Sequence, residues 1–162
     1  MTELDIRGIL AALVEEGVEF LVIGGLAVGY HGYVRATKDV DVVPNPDPDN
    51  LVRLAMALDR LDAHVEGVQE FDDQELPDPL DPDALGLGGN WVLETRLGRL
   101  DVMQWIGDEA LWGQLVGGAV EDEIAGLRVS VVGYDDLVKL KHQAGRSEDM
   151  LDLERLSQAR ED

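Results

Sequence analysis

The chain has 162 residues, of which 45% are hydrophobic, enough for one domain with a buried core and too few to indicate two. Its 34 acidic and 13 basic side chains give a formal net charge of −21, which works against non-specific binding to nucleic acid or to an anionic membrane. The absence of cysteine excludes disulfides, thiolate zinc sites and cysteine nucleophiles. We expect a single domain over residues 1–162.

The sequence contains neither a membrane-span pattern nor a secretory-signal pattern. The longest apolar run, residues 20–30, is shorter than the roughly 20 residues that cross a bilayer, and glycines interrupt it. The N-terminus, with Glu3 and Asp5 before an amphipathic segment, lacks the basic and apolar regions of a signal peptide. We expect a cytoplasmic protein with no membrane partner.

Hydrophobic periodicity divides the chain into helices and strands, without an internal repeat. Some segments carry apolar side chains at helical spacing, whereas others are short apolar runs bounded by glycine or proline, as expected for buried strands. In chain order, the predicted elements are a helix over 5–16, a strand over 20–23, a short helix over 26–33, a strand over 38–43, a helix over 48–61, a strand pair over 91–95 and 99–105, a helix over 108–115, a strand pair over 121–124 and 127–132, and C-terminal helices over 134–144 and 147–160.

The periodicity fails between residues 69 and 90, where the chain is rich in Asp, Glu, Pro and Gly. We predict a long acidic loop there, and loops of this length in a compact domain are usually functional or disordered. Trp91, Trp105 and Trp112 lie in apolar periodic segments on either side of the next hairpin. We interpret all three as core residues rather than as platforms for stacking bases.

Two aspartates one residue apart, Asp39 and Asp41, interrupt an apolar strand-like run. A strand alternates its side chains, so both carboxylates are predicted on one face while the neighbouring valines pack into the core on the other. Two negative charges held side by side repel each other, and a cation between them relieves the repulsion. The pair therefore indicates a divalent-metal site.

A third carboxylate, Asp101, lies among apolar neighbours in a later predicted strand. Three aspartates on neighbouring strands could hold two divalent ions about 4 Å apart, the arrangement used for in-line phosphoryl or nucleotidyl displacement. Mg²⁺, or alternatively Mn²⁺, suits such an all-oxygen site better than zinc. Each acid taken alone could also be an exposed edge residue or a salt-bridge partner of Lys38 or Arg99.

The pair Gly24-Gly25 follows a predicted strand and precedes a predicted helix. Its backbone amides could cradle a phosphate, although a simple tight turn would explain the glycines equally well. The spacing does not match a dinucleotide-binding fingerprint. Basic residues in or beside these segments suggest a local positive pocket on an acidic body, and they are Arg35, Lys38, Arg96, Arg99, Lys139, Lys141 and Arg146.

These motifs resemble those of the DNA polymerase β-like nucleotidyltransferase superfamily. The resemblance rests on the run Ile23-Gly24-Gly25-Leu26-Ala27, the run Arg35-Ala36-Thr37-Lys38-Asp39-Val40-Asp41-Val42 and the run Gly98-Arg99-Leu100-Asp101-Val102. It implies an α/β (α+β) fold with a mixed central sheet flanked by helices and with C-terminal helices. The C-terminal segment, with Lys141, Arg146 and two later aspartates, is similar to the AbiEii-type toxin nucleotidyltransferases and their short relatives.

The resemblance also implies roles for individual residues. The metal ligands would be Asp39, Asp41 and Asp101. These three aspartates and Lys141 would be the catalytic residues. The nucleotide would be bound by Gly24, Gly25, Lys38 and Arg146. Lys139 and Lys141 cannot share a helical face, so one of them at most points into the site. Asp149 and Asp152 are motif positions of open role, since acids in a first helical turn also favour the helix dipole. Glu148 stands where many relatives have lysine.

The implied activity is transfer of a nucleoside monophosphate from a nucleoside triphosphate to an acceptor hydroxyl, with release of pyrophosphate. Three functions remain open on this basis. The protein could be a toxin acting on tRNA or another RNA end and opposed by an antitoxin protein, or an antibiotic-type enzyme acting on a small molecule such as an aminoglycoside. It could also be a non-catalytic binding protein on the same fold.

Overall fold

The computed structural model describes residues 2–66 and 78–161, which contain both helices and strands. In these ranges a 3-10 turn, Val116–Gly118, lies between the helix Trp112–Leu115 and the strand Val120–Ile124. In chain order the elements are α1 (Ile6–Glu15), β1 (Phe20–Ile23), α2 (Gly24–Tyr30), β2 (Asp39–Pro44), α3 (Pro48–Arg60), β3 (His64–Val65), α4 (Pro82–Gly86), β4 (Trp91–Thr95), β5 (Gly98–Val102), β6 (Trp105–Ile106), β7 (Glu109–Ala110), α5 (Trp112–Leu115), β8 (Val120–Ile124), β9 (Leu127–Val131), α6 (Tyr134–Ala144) and α7 (Ser147–Glu161).

Seven strands form one mixed sheet in the order β3-β4-β5-β2-β1-β9-β8, and β6 and β7 form a separate two-stranded hairpin. The β2–β5 and β1–β9 pairs are parallel and the other pairs of the large sheet are antiparallel. On one side α1 packs against α3 and α3 against α4, and elsewhere α2 contacts α6, which contacts α7. This is the predicted α+β fold with a mixed central sheet flanked by helices, and the prediction is confirmed.

Local sequence explains where these elements begin and end. Asp5 caps α1 by accepting a hydrogen bond from the Gly8 amide, and Asp47 caps α3, whose first residue is a proline. All four residues of β1 are buried, as its continuous apolar run predicts. Gly145, with φ +62°, ends α6 in the left-handed conformation that glycine tolerates best. None of the helices in the described ranges has the length and apolarity that a bilayer crossing requires.

Helix α2 begins two residues earlier than predicted, at Gly24, and ends three residues earlier, at Tyr30. Gly24 has φ +65°, which allows the chain to turn from β1 directly into the helix. The glycine pair is therefore the first turn of α2 rather than a linker before it.

The loop predicted over 69–90 is partly wrong. Residues 67–77 lie outside the described ranges, but Pro82–Gly86 form α4, which Asp81 caps and whose Leu85 is fully buried. A five-residue helix is too short to show periodicity, so the cap and the proline were its available signals.

The helix predicted over 108–115 is also partly wrong. Only Trp112–Leu115 are helical, and Glu109–Ala110 instead pair with Trp105–Ile106 across Gly107, whose φ of +60° permits the turn. As a result the strand predicted over 99–105 ends at Val102. Trp105 is 38% exposed, so its interpretation as a core residue was wrong, whereas Trp91 is 8% exposed.

Candidate active site

The three aspartates lie side by side on two parallel strands. The register of β2 and β5 places Asp41 opposite Asp101 and Asp39 opposite Arg99. Each of the three carboxylates offers an oxygen, and these oxygens all lie within 4.8 Å of one another. Val40 and Val42 point into the core from the opposite face of β2, so the predicted alternation is confirmed. We call Asp39, Asp41 and Asp101 the acid triad.

The acid triad holds more negative charge than the protein itself neutralises. Burial of the Asp41 carboxyl and the nearby charges of Asp39 and Asp101 raise its pKa from 3.8 to about 8. No Lys or Arg among the described residues lies within ion-pair distance of Asp41. A group of partly buried, oxygen-only ligands with unbalanced charge fits a hard divalent cation.

The glycine turn is built against this group. Ile23 pairs with Asp41, so the next residue, Gly24, lies beside the Asp41 carboxyl, and a Cβ on Gly24 would collide with it. A Cβ on Gly25 would lie 2.8 Å from the Thr37 hydroxyl. Both positions therefore require glycine for close packing, and Gly24 also requires it for its positive φ.

Arg99 provides a cation for two members of the acid triad. Its Nε and NH2 groups donate to the two oxygens of Asp101 at 3.0 and 3.1 Å, and its Nε lies 3.7 Å from Asp39 Oδ2. A third nitrogen, NH1, lies 3.8 Å from Glu66 Oε2. The salt bridge to Arg99, which the sequence left as an alternative explanation for a single acid, is present together with the cluster.

A second group of charges joins α6, α7 and the segment before β2. Lys141 Nζ lies 3.0 Å from Asp149 Oδ1 and 2.9 Å from Asp152 Oδ2. Arg35 grips both oxygens of Asp152 at 2.9 Å, and Arg146 Nε donates to Asp149 Oδ2 at 2.8 Å. We call these five residues the buried ion network.

The carboxylates of the buried ion network are stabilised in their charged form. Asp149 and Asp152 are fully buried, which by itself would raise their pKa values. Hydrogen bonds from Arg146 and Lys141 to Asp149, and from Arg35 and Lys141 to Asp152, outweigh burial and lower both pKa values below 3.8. The explanation of these acids as simple helix-dipole partners is therefore too weak.

The acid triad lines a cleft of about 360 Å³ together with Arg35, Lys141, Arg146 and Asp149 of the buried ion network. All eight candidate site residues border it: Gly24, Gly25, Lys38, Asp39, Asp41, Asp101, Lys141 and Arg146. The sequence did not identify Thr37 and Glu148 as site residues, although they line the cleft too. Glu148 makes a 3.2 Å ion pair with Arg35 at the cleft wall.

The predicted positive pocket is present in part. Of the basic residues predicted to surround the site, Arg35, Lys38, Arg99, Lys141 and Arg146 border the cleft. Arg96 instead donates to the Arg60 carbonyl, and Lys139 is exposed in a shallow groove of α6 and α7. Of Lys139 and Lys141, only Lys141 borders the cleft, which agrees with the expectation that one of them at most points into the site. A signal for the buried acids was also present, because the inward stripe of α7 is Asp149, Asp152 and Leu156 at helical spacing.

Comparisons with known proteins identify the fold. A scan of protein-family models and a search of curated proteins gave no match. Among solved structures, the chain matches ANT(2'')-Ia in complex with adenylyl-2''-tobramycin, with a TM-score of 0.59 and 17% identity, over 93% of this chain and 84% of that chain.

Two further matches have the same character. The lincomycin-bound lincosamide antibiotic adenylyltransferase LnuA gives a TM-score of 0.59 and 12% identity, over 96% of this chain and 98% of that chain. A putative nucleotidyltransferase from Thermotoga maritima, TM1012, gives a TM-score of 0.54 and 15% identity, over 92% and 88%. At these identities the matches establish the fold, which is that of nucleotidyltransferases.

Proposed function

We propose that the protein is a divalent-metal-dependent nucleotidyltransferase of the polymerase β-like superfamily. It would transfer a nucleoside monophosphate from a nucleoside triphosphate to a hydroxyl of a small molecule and release pyrophosphate. The observation that carries the proposal is the acid triad, with its unbalanced charge, in a cleft that also holds five basic residues. Such a cleft suits an anionic substrate that binds together with metal ions.

The residues of the acid triad fit Mg²⁺ or Mn²⁺. All of their donors are carboxylate oxygens, and they lie within 4.8 Å of one another. We propose two ions, which when bound would lower the pKa of the acceptor hydroxyl and neutralise charge on the transferred phosphoryl group.

The basic residues would bind the triphosphate. Arg146 has a side chain that is 72% exposed, and its Asp149 contact orients it along the cleft, so its free guanidinium edge is available to phosphate oxygens. Lys38 is exposed and lines the same cleft, next to Asp39 in the chain. We propose that backbone amides of Gly24 and Gly25, which also line the cleft, contribute to phosphate binding.

Lys141 has a more restricted part in this proposal than the resemblance implies. Two buried aspartates bind its ammonium group, and its side chain is 9% exposed. We propose that it acts chiefly by fixing α7 to α6, which holds Arg35 and Arg146 at the cleft. Its contribution to the reaction would then be one of position.

The reaction would be an in-line displacement. The acceptor oxygen attacks the α-phosphorus, the bond to the bridging oxygen of pyrophosphate breaks, and the hydroxyl proton passes to a carboxylate oxygen of Asp101. No covalent intermediate with the protein is required, because positioning and charge neutralisation lower the barrier.

A small-molecule acceptor agrees best with the charge of the molecule. A net charge of −21 opposes RNA binding, and the structures of ANT(2'')-Ia and LnuA hold antibiotics or their derivatives. The second candidate is a toxin-like transfer to tRNA, controlled by an antitoxin. It is favoured by the order of Lys141, Arg146, Asp149 and Asp152, which resembles that of the AbiEii-type toxins.

The test is to incubate purified protein with Mg²⁺ and each α-labelled nucleoside triphosphate in the presence of aminoglycosides, lincosamides or total RNA. Wild type is compared with Asp39→Ala and with Asp59→Ala, a matched control at an exposed acid of α3 that does not line the cleft. We expect label on a small molecule with wild type and Asp59→Ala only. Label on RNA would select the toxin-like function.

Absence of transfer to any acceptor would contradict the enzymatic proposal if calorimetry also detected no binding of nucleotide or metal. The fold would then act as a binding module. Transfer that survived Asp39→Ala would contradict the assignment of the acid triad.

A further inference from the structure

We infer that Arg99 is an internal counter-cation of the acid triad, which competes with a divalent cation for the oxygens of Asp101 and Asp39. The inference rests on the proposed metal site and concerns how that site is regulated. It assigns to Arg99 a role that is neither ligand nor catalyst. The role would be to stabilise the metal-free protein and to set the affinity for metal.

The backbone, rather than a chance side-chain rotamer, brings Arg99 to the acids. Residues 99 and 101 are two apart on β5, so their side chains emerge on the same face. The parallel register also places Arg99 directly opposite Asp39 on β2. The guanidinium is thus held beside two of the three carboxylates by sheet geometry.

The contact occupies the atoms that a metal would use. Arg99 donates to both oxygens of Asp101, at 3.0 and 3.1 Å. Bidentate guanidinium pairs of this kind are among the strongest charge-assisted hydrogen bonds in proteins. A cation that binds Asp101 must therefore share its oxygens with Arg99 or displace it, and the two positive charges repel each other at this distance.

Arg99 is the only basic residue in the described ranges that lies within ion-pair distance of the acid triad. In the absence of metal it therefore supplies the nearest positive charge to the acid triad. Its removal should destabilise the metal-free protein and, at the same time, free Asp101 for a metal ion.

The structure also provides an alternative partner for a displaced Arg99. Glu66 Oε2 lies 3.8 Å from Arg99 NH1, and the two side chains are 43% and 39% exposed. This carboxylate is therefore within reach of the guanidinium and attracts it away from the acid triad. Glu66 thus favours release of Asp101, and its loss should strengthen the hold of Arg99 on the acid triad.

The test measures Mn²⁺ binding by calorimetry without nucleotide, and thermal unfolding with and without Mn²⁺. We expect Arg99→Ala to bind Mn²⁺ about tenfold more tightly than wild type, because a positive charge at contact distance is removed. Its melting temperature without metal should fall, and the rise on adding Mn²⁺ should be larger. Arg96→Ala, on the same hairpin but away from the cleft, is the matched control and should behave as wild type.

A second variant has the opposite expected effect. Glu66→Gln should weaken Mn²⁺ binding a few-fold, and this effect should shrink in the Arg99→Ala background, since the coupling runs through Arg99. Equal Mn²⁺ affinity in wild type and Arg99→Ala would overturn the inference while leaving the metal site intact. No Mn²⁺ binding in either protein would overturn the inference together with the proposed metal site.

Discussion

Two groups of carboxylates lie in the cleft or directly behind its basic residues, and they differ in how their charge is balanced. In the acid triad, Asp41 has acids as its nearest charged neighbours, and its pKa rises to about 8. In the buried ion network, Asp149 and Asp152 each bind two cations, and their pKa values fall below 3.8. Burial opposes ionisation in both groups, so the partners decide the direction of the shift.

The difference separates structural from functional charge. A buried carboxylate whose cations come from the chain itself fixes helices in place and needs nothing further. A buried carboxylate without such a cation makes the fold less stable, and its retention is explained when a ligand supplies the charge. Under the proposed function, the acid triad would be the reactive part of the cleft, and Lys141, Asp149 and Asp152 would hold its walls in place.

The sharpest test of this division is Asp41→Asn. Loss of one charged ligand should lower nucleotidyl transfer by about 1,000-fold or more, since metal-ion stabilisation supplies several kcal/mol and each 1.4 kcal/mol is tenfold. The melting temperature without metal should stay the same or rise, because repulsion within the acid triad is relieved. A melting temperature several degrees lower would show that Asp41 is structural.

The second test, Asp152→Ala, should have the opposite profile. It removes the fully buried carboxylate that Arg35 and Lys141 share, and removal of one member of a buried pair costs about 3–5 kcal/mol of unfolding free energy. Urea denaturation measures this loss, with the slope expected to be unchanged. Asp122→Ala is the control, because Asp122 is exposed and bonds only the Tyr30 hydroxyl and a neighbouring amide. An equal loss of unfolding free energy in both variants would contradict the conclusion that the buried ion network stabilises the fold more than an exposed acid does.

The longer elements of the fold could be predicted from sequence, whereas the shortest could not. The structure has β1 and α6 at the predicted bounds, because a continuous apolar run and a capped helical period are local signals. Helix α4 and the β6–β7 hairpin depend instead on tertiary contacts, such as the burial of Leu85 and the turn at Gly107. Helices of four or five residues and strands of two contain too few positions to display a period, whereas the four-residue β1 is recognised by its continuous apolar run.

For the candidate site, the sequence predicted which residues meet but not how they pair. The eight residues meet in one cleft because strand alternation and a family-like order of motifs place them there. That Lys141 is bound by Asp149 and Asp152 depends on how α6 packs against α7. An acid at the start of a helix has an equally good local explanation in the helix dipole, so sequence alone left the two open.

Lowering the pH should remove a part of the same unfolding free energy that Asp152→Ala removes. The pKa of Asp152 is lowered in the folded state. The ionised carboxylate therefore contributes its full share of unfolding free energy at pH values above 3.8, the ordinary pKa of an aspartate. This share is lost as the pH falls through the lowered pKa of the folded state. Wild type should therefore lose unfolding free energy below about pH 4 more steeply than Asp152→Asn, by up to about 1.4 kcal/mol per pH unit for one proton. Urea denaturation between pH 5 and pH 2 measures both slopes, and parallel curves would contradict the assignment.

The smallest expected effect is that of replacing one of two glycines of α2 with alanine. The comparison tests whether the backbone at Gly24 holds the Asp41 carboxyl close to the other carboxylates of the acid triad. Gly24→Ala should lose about 1–2 kcal/mol from its left-handed φ of +65°, and the added methyl group should displace the Asp41 carboxyl and weaken Mn²⁺ binding. Gly29→Ala has its nearest neighbouring atom at 3.9 Å and should gain about 0.4–1 kcal/mol with unchanged Mn²⁺ binding. Thermal unfolding and calorimetry separate the two. If Gly24→Ala bound Mn²⁺ as wild type does, the Asp41 carboxyl could move freely, and the unbalanced charge of the acid triad would not be enforced by the glycine turn.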